Sequence, residues 1–448
     1  MSRPKQGTCG GGPVSVQPTT AIFAEASADA SARQGTPAGA AAHARPDVTV
    51  TIHEDLGTIE QDWRSFERHA ACTVFQTFDW LAAWHRHIGA RAGIRPAIVV
   101  GRDQGGEILF LLPLAVRPGI VRRLTWFGDD LCDYNAPLLA PALSLRVDRE
   151  HFLALWAEIR ALLQRKPRLR HDIVQLDKMP AAAGDEPNPF LHLTVGLNPS
   201  GAHLTHLTGT WDEFYAARRS SATRRRDRAK LKRLGEIGAV RFVNPDSGEE
   251  IERTLETLFA QKTRSFARMG VANIFARPGY REFYLGVATA LRELVHVSRL
   301  DVGSTWAATN LGLQFRGCYY HILASYDDGE VSRFGPGAAH LRDLMQRATE
   351  RGCDRFDFTI GDERYKLEWS DTAIALYDHI AAASPRGWPV AFAALGARRA
   401  KRAIKQNPAL WERFKRMRAA LRWRPGQRKD AQNSSAPHVE DSPSITPD

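Results

Sequence analysis

The chain has 448 residues, 43% of them hydrophobic, with a formal net charge of +11. That length allows two or three domains with real cores, and the longest apolar run, Ile108 to Val116, is too short to span a bilayer. Five scattered cysteines, Cys9, Cys72, Cys132, Cys318 and Cys353, offer neither a disulfide framework nor metal-ligand spacing, so no metal is expected.

Charge is concentrated in two places. Arg218 to Arg233 carries a net +8 and Arg386 to Lys429 a net +13, which leaves −10 on the remainder. The pattern is a mildly acidic body with two basic attachments, and it speaks to partners rather than to fold.

Residues 1–46 are rich in Gly, Ala, Ser, Thr and Pro and hold hardly any large apolar residue after Phe23, so they are expected to be disordered. No apolar signal core occurs in MSRPKQGTCGGGPVSV, and a cytoplasmic location is expected. Arg95 to Val100 reads as a strand, Ile108 to Val116 as a longer strand bulged at Pro113, and Arg122 to Gly128 as a third. Phe152 to Gln164 sets Phe152, Leu155, Trp156, Ile159 and Leu163 on one helical face, and Asp172 to Asp177 returns as a strand.

The second half has the same rhythm. Leu294 to Val302, Thr305 to Phe315 and Cys318 to Tyr326 read as strands, His340 to Gly352 as a helix, and Arg355 to Ile360 as the next strand. The repetition predicts an α/β chain with an internal duplication. A first lobe would cover 47–200 and a second 204–383, joined near 197–203. A basic amphipathic helical extension would follow over 384–428, with 429–448 again disordered. Trp388, Phe392, Trp411 and Trp423 among lysines and arginines would let that extension lie on anionic lipid at the inner face of the membrane, or pack on the domain.

Two segments carry candidate chemistry. In Ser332 to Leu344, Gly335 and Gly337 bracket Pro336 where a strand yields to a helix, which is either a plain turn or a pyrophosphate seat made of backbone amides and a helix N-terminus. The first half has no glycine at the corresponding place, so a phosphorylated cofactor belongs to the second. In Phe356 to Trp369, FDFTIGDERYKLEW, Asp357 alternates with aromatic residues and needs a partner if buried, structural or catalytic. Glu363, Tyr365 and Lys366 follow the turn at Gly361 and Asp362, at the strand edge where open α/β sheets bind ligands. A carboxylate and a phenol there suit acyl transfer, in which an amine loses a proton and a thiolate gains one. His321, alone on its strand, reads as structural.

The order of meander, SRFGPG, amphipathic helix and RFDFTIGDERYKLEW resembles the GNAT-like acyltransferase domain of the cellulose-biosynthesis CelD type. Val74 to Gly89 and Arg122 to Leu139 resemble that family's tryptophan-containing helix and its Asp-Tyr segment, here Asp133 and Tyr134. The resemblance covers Thr73 to Tyr377. It implies tandem GNAT-like folds, with mixed twisted sheets flanked by helices, and a bacterial N-acyltransferase using acetyl-CoA or another acyl-CoA. The acceptor would be an amine on a small molecule or glycan, in polysaccharide or cell-envelope synthesis.

On that reading Arg333, Gly335, Gly337 and Ala338 hold pyrophosphate, Asp357 or Glu363 accepts the amine's proton, Tyr365 protonates the thiolate, and Lys366 orients a carboxylate or phosphate. The loop, R-F-G-P-G-A, is shorter than the Q/R-x-x-G-x-G/A pattern of typical GNAT enzymes. Arg224, Arg225 and Arg228 on a basic helix await an anion, which could be coenzyme A phosphate, an acidic glycan, RNA or a membrane surface. Two rivals stand beside this reading: a Fem-type aminoacyltransferase using aminoacyl-tRNA, and a non-catalytic accessory protein of cellulose synthesis.

Overall fold

The computed structural model describes residues 47–407, together with 410 and 413. The expected disordered segments 1–46 and 429–448, and the extension beyond 413, lie outside the described residues. No described helix is long and apolar enough to cross a membrane.

In the first half, strands β1 (Thr49–His53), β2 (Arg95–Arg102), β3 (Ile108–Arg117) and β4 (Arg123–Trp126) form an antiparallel meander. β5 (Leu138–Leu139) adds to β3. The helix Arg149–Arg165, capped by Asp148 on the His151 amide, buries the five residues expected of it and leads to β6 (Ile173–Pro180), parallel to β4. A small hairpin of β7 (Ala182–Ala183) and β8 (Glu186–Pro187) and then β9 (Val195–Leu197) follow. The second half supplies β10 (Ala202–His206), β11 (Val240–Val243), β12 (Val295–Val302), β13 (Thr305–Phe315) and β14 (Cys318–Tyr326). The helix Pro336–Glu350 then crosses to β15 (Arg355–Ile360), parallel to β14, before β16 (Thr372–Ile374) and β17 (Leu376–Ala382).

Two details differ from the sequence reading. Pro113 keeps regular register opposite Ile98, and the bulge lies instead between Gly101 and Arg102. β3 pairs with β5 at Phe110–Leu111 and with β4 from Leu114 onward, so the proline falls between those partners and its missing N–H leaves no ladder bond unmade.

The second difference concerns the lobes. Residues 376–382, expected in the second lobe, form β17 and complete the first sheet beside β6, while β10 pairs with β15 in the second. The sheet orders are β1-β2-β3-β4-β6-β17-β9 and β11-β12-β13-β14-β15-β10-β16. The first sheet therefore takes its sixth strand, β17, from the far end of the second half, while the second sheet is built wholly from residues 202–374. The antiparallel edges of β6 and β15 both need a partner, and the chain supplies one to each by crossing twice.

The arrangement repeats in detail. β4 and β6 share only two paired positions, and β14 and β15 only three, from Cys318↔Arg355 to Tyr320↔Asp357, after which the parallel strands part. Both β6 and β15 carry a non-glycine residue in left-handed conformation beside a register shift, Lys178 (φ 57°) and Thr359 (φ 58°). Such strain persists only where the surroundings enforce it and clusters at functional sites. Between the sheets runs a continuous apolar core: Trp80 meets Phe283 edge-on at 4.9 Å, and Phe75 meets Tyr320 at 5.8 Å.

Candidate active site

The opening between β14 and β15 meets the first lobe at Asp357. This side chain is buried, and its partner comes from the other half of the chain. The Tyr134 hydroxyl donates to both carboxylate oxygens, at 2.8 and 2.9 Å, and the Thr359 amide donates to Oδ1 at 2.7 Å. Burial pushes the Asp357 carboxyl up to about 7; the two donors oppose this and Asp133 reinforces it. Burial also raises Tyr134 well above the ordinary phenol range, with Asp357 adding to it. Asp133, partly exposed, is likewise raised by burial, against the pull of Lys178, the Thr359 hydroxyl and Lys366. The Asp-Tyr pair and the strand acid, singled out separately in the sequence, are thus one site.

A second group lies beyond the strand end. The buried Lys366 ammonium donates to the carbonyls of Ile360 at 2.7 Å and Thr359 at 3.5 Å and pairs with Glu363 at 3.2 Å. Lys366 therefore faces the strand end and Glu363, where a substrate-orienting role had been expected. Gly361 (φ 138°) passes directly beneath this pair: a Cβ there would sit 2.3 Å from the Glu363 carboxylate. Glu363 keeps more than half of its side chain exposed and lines, with Asn198, Ser200 and Arg402, a cleft of about 700 Å³ at the lobe junction.

Tyr365 sits across the opening, its ring 6.3 Å from His321 and 6.2 Å from Phe358. Burial and then Glu363 raise its phenol, so it stays protonated. His321 is held down to about 3 by burial and then by Lys366 and Lys262, which keeps it neutral and structural.

The glycine loop opens at the same sheet edge, because β14 and β15 run parallel. Gly335, left-handed at φ 68°, caps the helix Pro336–Glu350. Pro336 has no N–H, and the Ala338 and Ala339 amides bond to the Gly335 carbonyl, so of the expected amides only that of Gly337 points onward. The basic helix Ser221–Ile237 supplies the missing charge. A Cβ on Gly335 would lie 3.8 Å from the Lys230 ammonium. Asp227 fixes that helix by accepting from the Tyr215 hydroxyl (2.7 Å) and pairing with Arg342 (3.2 Å). Leu234 is the helix's one buried residue. Arg225 and Arg228 are exposed, Arg224 is half-buried with Nε unpartnered, and Arg333 is paired with Glu330.

Four contributors escaped the sequence reading. Lys230 had been grouped with its neighbours, and Lys178 follows an ordinary strand. Lys262 lies on a helix where only the fold turns it toward Glu363; burial holds its ammonium down, Glu363 opposing and Lys366 reinforcing that. His203 is buried beside the same pair with both ring nitrogens lacking a hydrogen-bond partner. In the first lobe the corresponding opening is closed: Arg398 pairs with both Asp177 and Asp378 at 2.5 Å. Among the described residues no cluster suited to a metal ion occurs.

Residues 221–367 match the family described as "Acetyltransferase (GNAT) domain". No curated protein matches the chain. Among solved structures, that of FemX superposes with a TM-score of 0.51 at 10% identity, covering 76% of this chain and 98% of its own. L-PGS from Bacillus licheniformis gives 0.45 at 13% identity, covering 75% and 94%. A tandem GNAT protein from the clavulanic acid biosynthesis pathway gives 0.41 at 15% identity, covering 76% and 99%. The doubled mixed-sheet fold is similar to that of FemX. Residues 221–367 thus match a GNAT acetyltransferase domain, a match that supports an acyltransferase.

Proposed function

We propose that the chain transfers an acyl group, acetyl or larger, from a coenzyme A thioester to an amine at the opening between β14 and β15. The observation that carries this is Asp357, a carboxylate raised to about 7 at the point where the strands part. The amine nitrogen attacks the thioester carbonyl and the C–S bond breaks. The amine's proton passes through water to Asp357, and the thiolate takes one from Tyr365. Glu363, at the mouth of the junction cleft, receives the incoming neutral amine as a hydrogen-bond acceptor, and Lys366 holds Glu363 in place. The start of the helix Pro336–Glu350, the Gly337 amide and Lys230 receive the pyrophosphate. The acceptor is an amine on a small molecule or glycan, and a role in polysaccharide or envelope synthesis draws on the CelD-type resemblance of the sequence alone. Release of coenzyme A thiol on mixing acetyl-CoA with a panel of amino sugars and amines tests this. Turnover that survives unchanged in Asp357→Asn would remove Asp357 as the base.

A second reading, transfer from aminoacyl-tRNA, draws on the exposed basic face of Ser221–Ile237 next to the glycine loop. Copurification of tRNA that protects Arg224 to Arg228 from chemical modification would favour it over the coenzyme A reading.

A further inference from the structure

One end of the first sheet collects residues that acyl transfer does not use. Arg95 at the start of β2 is registered with Val116, Arg123 with Ile173, and Ile173 with Ala382. These pairings bring together the turn 118–122, the loop 166–172 and the start of the helix Gly387–Gln406. Three large apolar side chains project into water here: Ile120 is 99% exposed, Trp388 69% and Phe392 79%. Trp388 and Phe392 are four residues apart, so they share the outer face of their helix. Its inner face anchors through Ala391, Val390 and Leu395 against Ile173, Ile380 and Val121, the neighbour of Ile120. The three side chains thus belong to one surface.

Its rim is basic. Arg95, Arg168, Arg170 and Arg386 are exposed. Arg122, bonded through its guanidinium to the Pro167 and Arg168 carbonyls, has its pKa lowered by burial and then by Arg95, with Arg170 adding to the effect. The single acid of these segments, Asp172, is engaged by the Arg122 amide at 2.9 Å and the Ser384 hydroxyl at 2.6 Å. A cluster of arginines with its one carboxylate already occupied has no internal reason to assemble.

We propose that this end of the first sheet docks on a bilayer containing anionic lipid. Ile120, Trp388 and Phe392 enter the boundary between headgroups and acyl chains, and the arginines meet lipid phosphates. A tryptophan and a phenylalanine on the free face of a helix, rimmed by cations, combine the two attractions that hold a protein at such an interface. A purely apolar trio would equally suit a second copy of the chain; the exposed arginines select an anionic sheet.

Co-sedimentation of the intact protein with phosphatidylcholine vesicles, and with phosphatidylcholine–phosphatidylglycerol vesicles, tests the proposal. Binding is expected on the mixed vesicles alone and should weaken as salt rises. Ile120→Ser/Trp388→Ser/Phe392→Ser should reduce it by about tenfold or more, with an unchanged thermal midpoint. Arg95→Gln/Arg170→Gln/Arg386→Gln should reduce both binding and its salt dependence. Equal binding by the apolar triple variant and the wild type overturns the proposal, as does equal binding to the two vesicle types. A wild type that ignores vesicles and elutes as a dimer broken by the apolar triple variant assigns the surface to a second copy instead.

Discussion

Asp357 concentrates the residue-scale argument because one side chain links burial, proton affinity and chemistry. A base must be deprotonated, so kcat/KM should rise with pH through about 7 in the wild type, and Asp357→Asn should lose that limb together with about a hundredfold or more in kcat. Stability follows with the opposite sign. The folded-state value lies above the ordinary 3.8, so the folded protein holds this proton more tightly than the unfolded chain. Raising pH from about 4 to about 8 should therefore destabilise the wild type relative to Asp357→Asn, by on the order of 4 kcal/mol, read as diverging urea midpoints. Tyr134→Phe removes a donor that pulls Asp357 down, so the activity limb should move to higher pH while the protein loses about 1–3 kcal/mol.

Asp357 was legible in the sequence as an acid among aromatics, while Asp133 and Tyr134 were singled out only through the family resemblance. Their union across 223 positions was not, because side-chain alternation reports a face and never a distant partner. Lys262 was invisible for a related reason: one lysine on a long charged helix has no local mark of burial.

At the scale of elements, the helix starting at Pro336 has an unusual N-terminus. With Pro336 lacking an N–H and two amides turned back on Gly335, the Lys230 ammonium carries much of the attraction for an anion. Lys230→Ala should raise the KM for acetyl-CoA several-fold and flatten its salt dependence while leaving kcat close to wild type, as steady-state kinetics at two ionic strengths would show. An unchanged KM would move the phosphate elsewhere. The strands and the two crossover helices could be read from periodicity, since their apolar faces follow their periods closely. Strand pairing could not: the bulge migrated from Pro113 to Gly101, where neighbouring strands rather than the proline set the register.

For the whole molecule, the return of β17 to the first sheet and the shared core between the sheets make each half depend on the other. A chain ending near residue 200 lacks the strand that covers β6, and a chain beginning near 208 lacks the one that covers β15. Neither fragment should show a cooperative transition alone, whereas the intact chain should unfold in a single one. Two separate transitions in calorimetry would contradict the interlocked account. The duplication was legible in the order of strands and helices; the return of β17 to the first sheet was not, since it is an ordinary short strand whose sequence names no partner. The pairing of Arg398 with Asp177 and Asp378 across the first opening favours the second as the proposed place for chemistry.

The central claim is that the second opening takes a coenzyme A thioester. The most direct measurement is the thermal midpoint of the intact protein with and without coenzyme A and acetyl-CoA, beside that of Lys230→Ala. A ligand selective for the folded state at a hundredfold excess over its dissociation constant stabilises by about 2.7 kcal/mol. The account predicts a clear rise for the wild type and a smaller one for Lys230→Ala at equal ligand. An unmoved midpoint at saturating coenzyme A would contradict it and turn the basic helix toward tRNA.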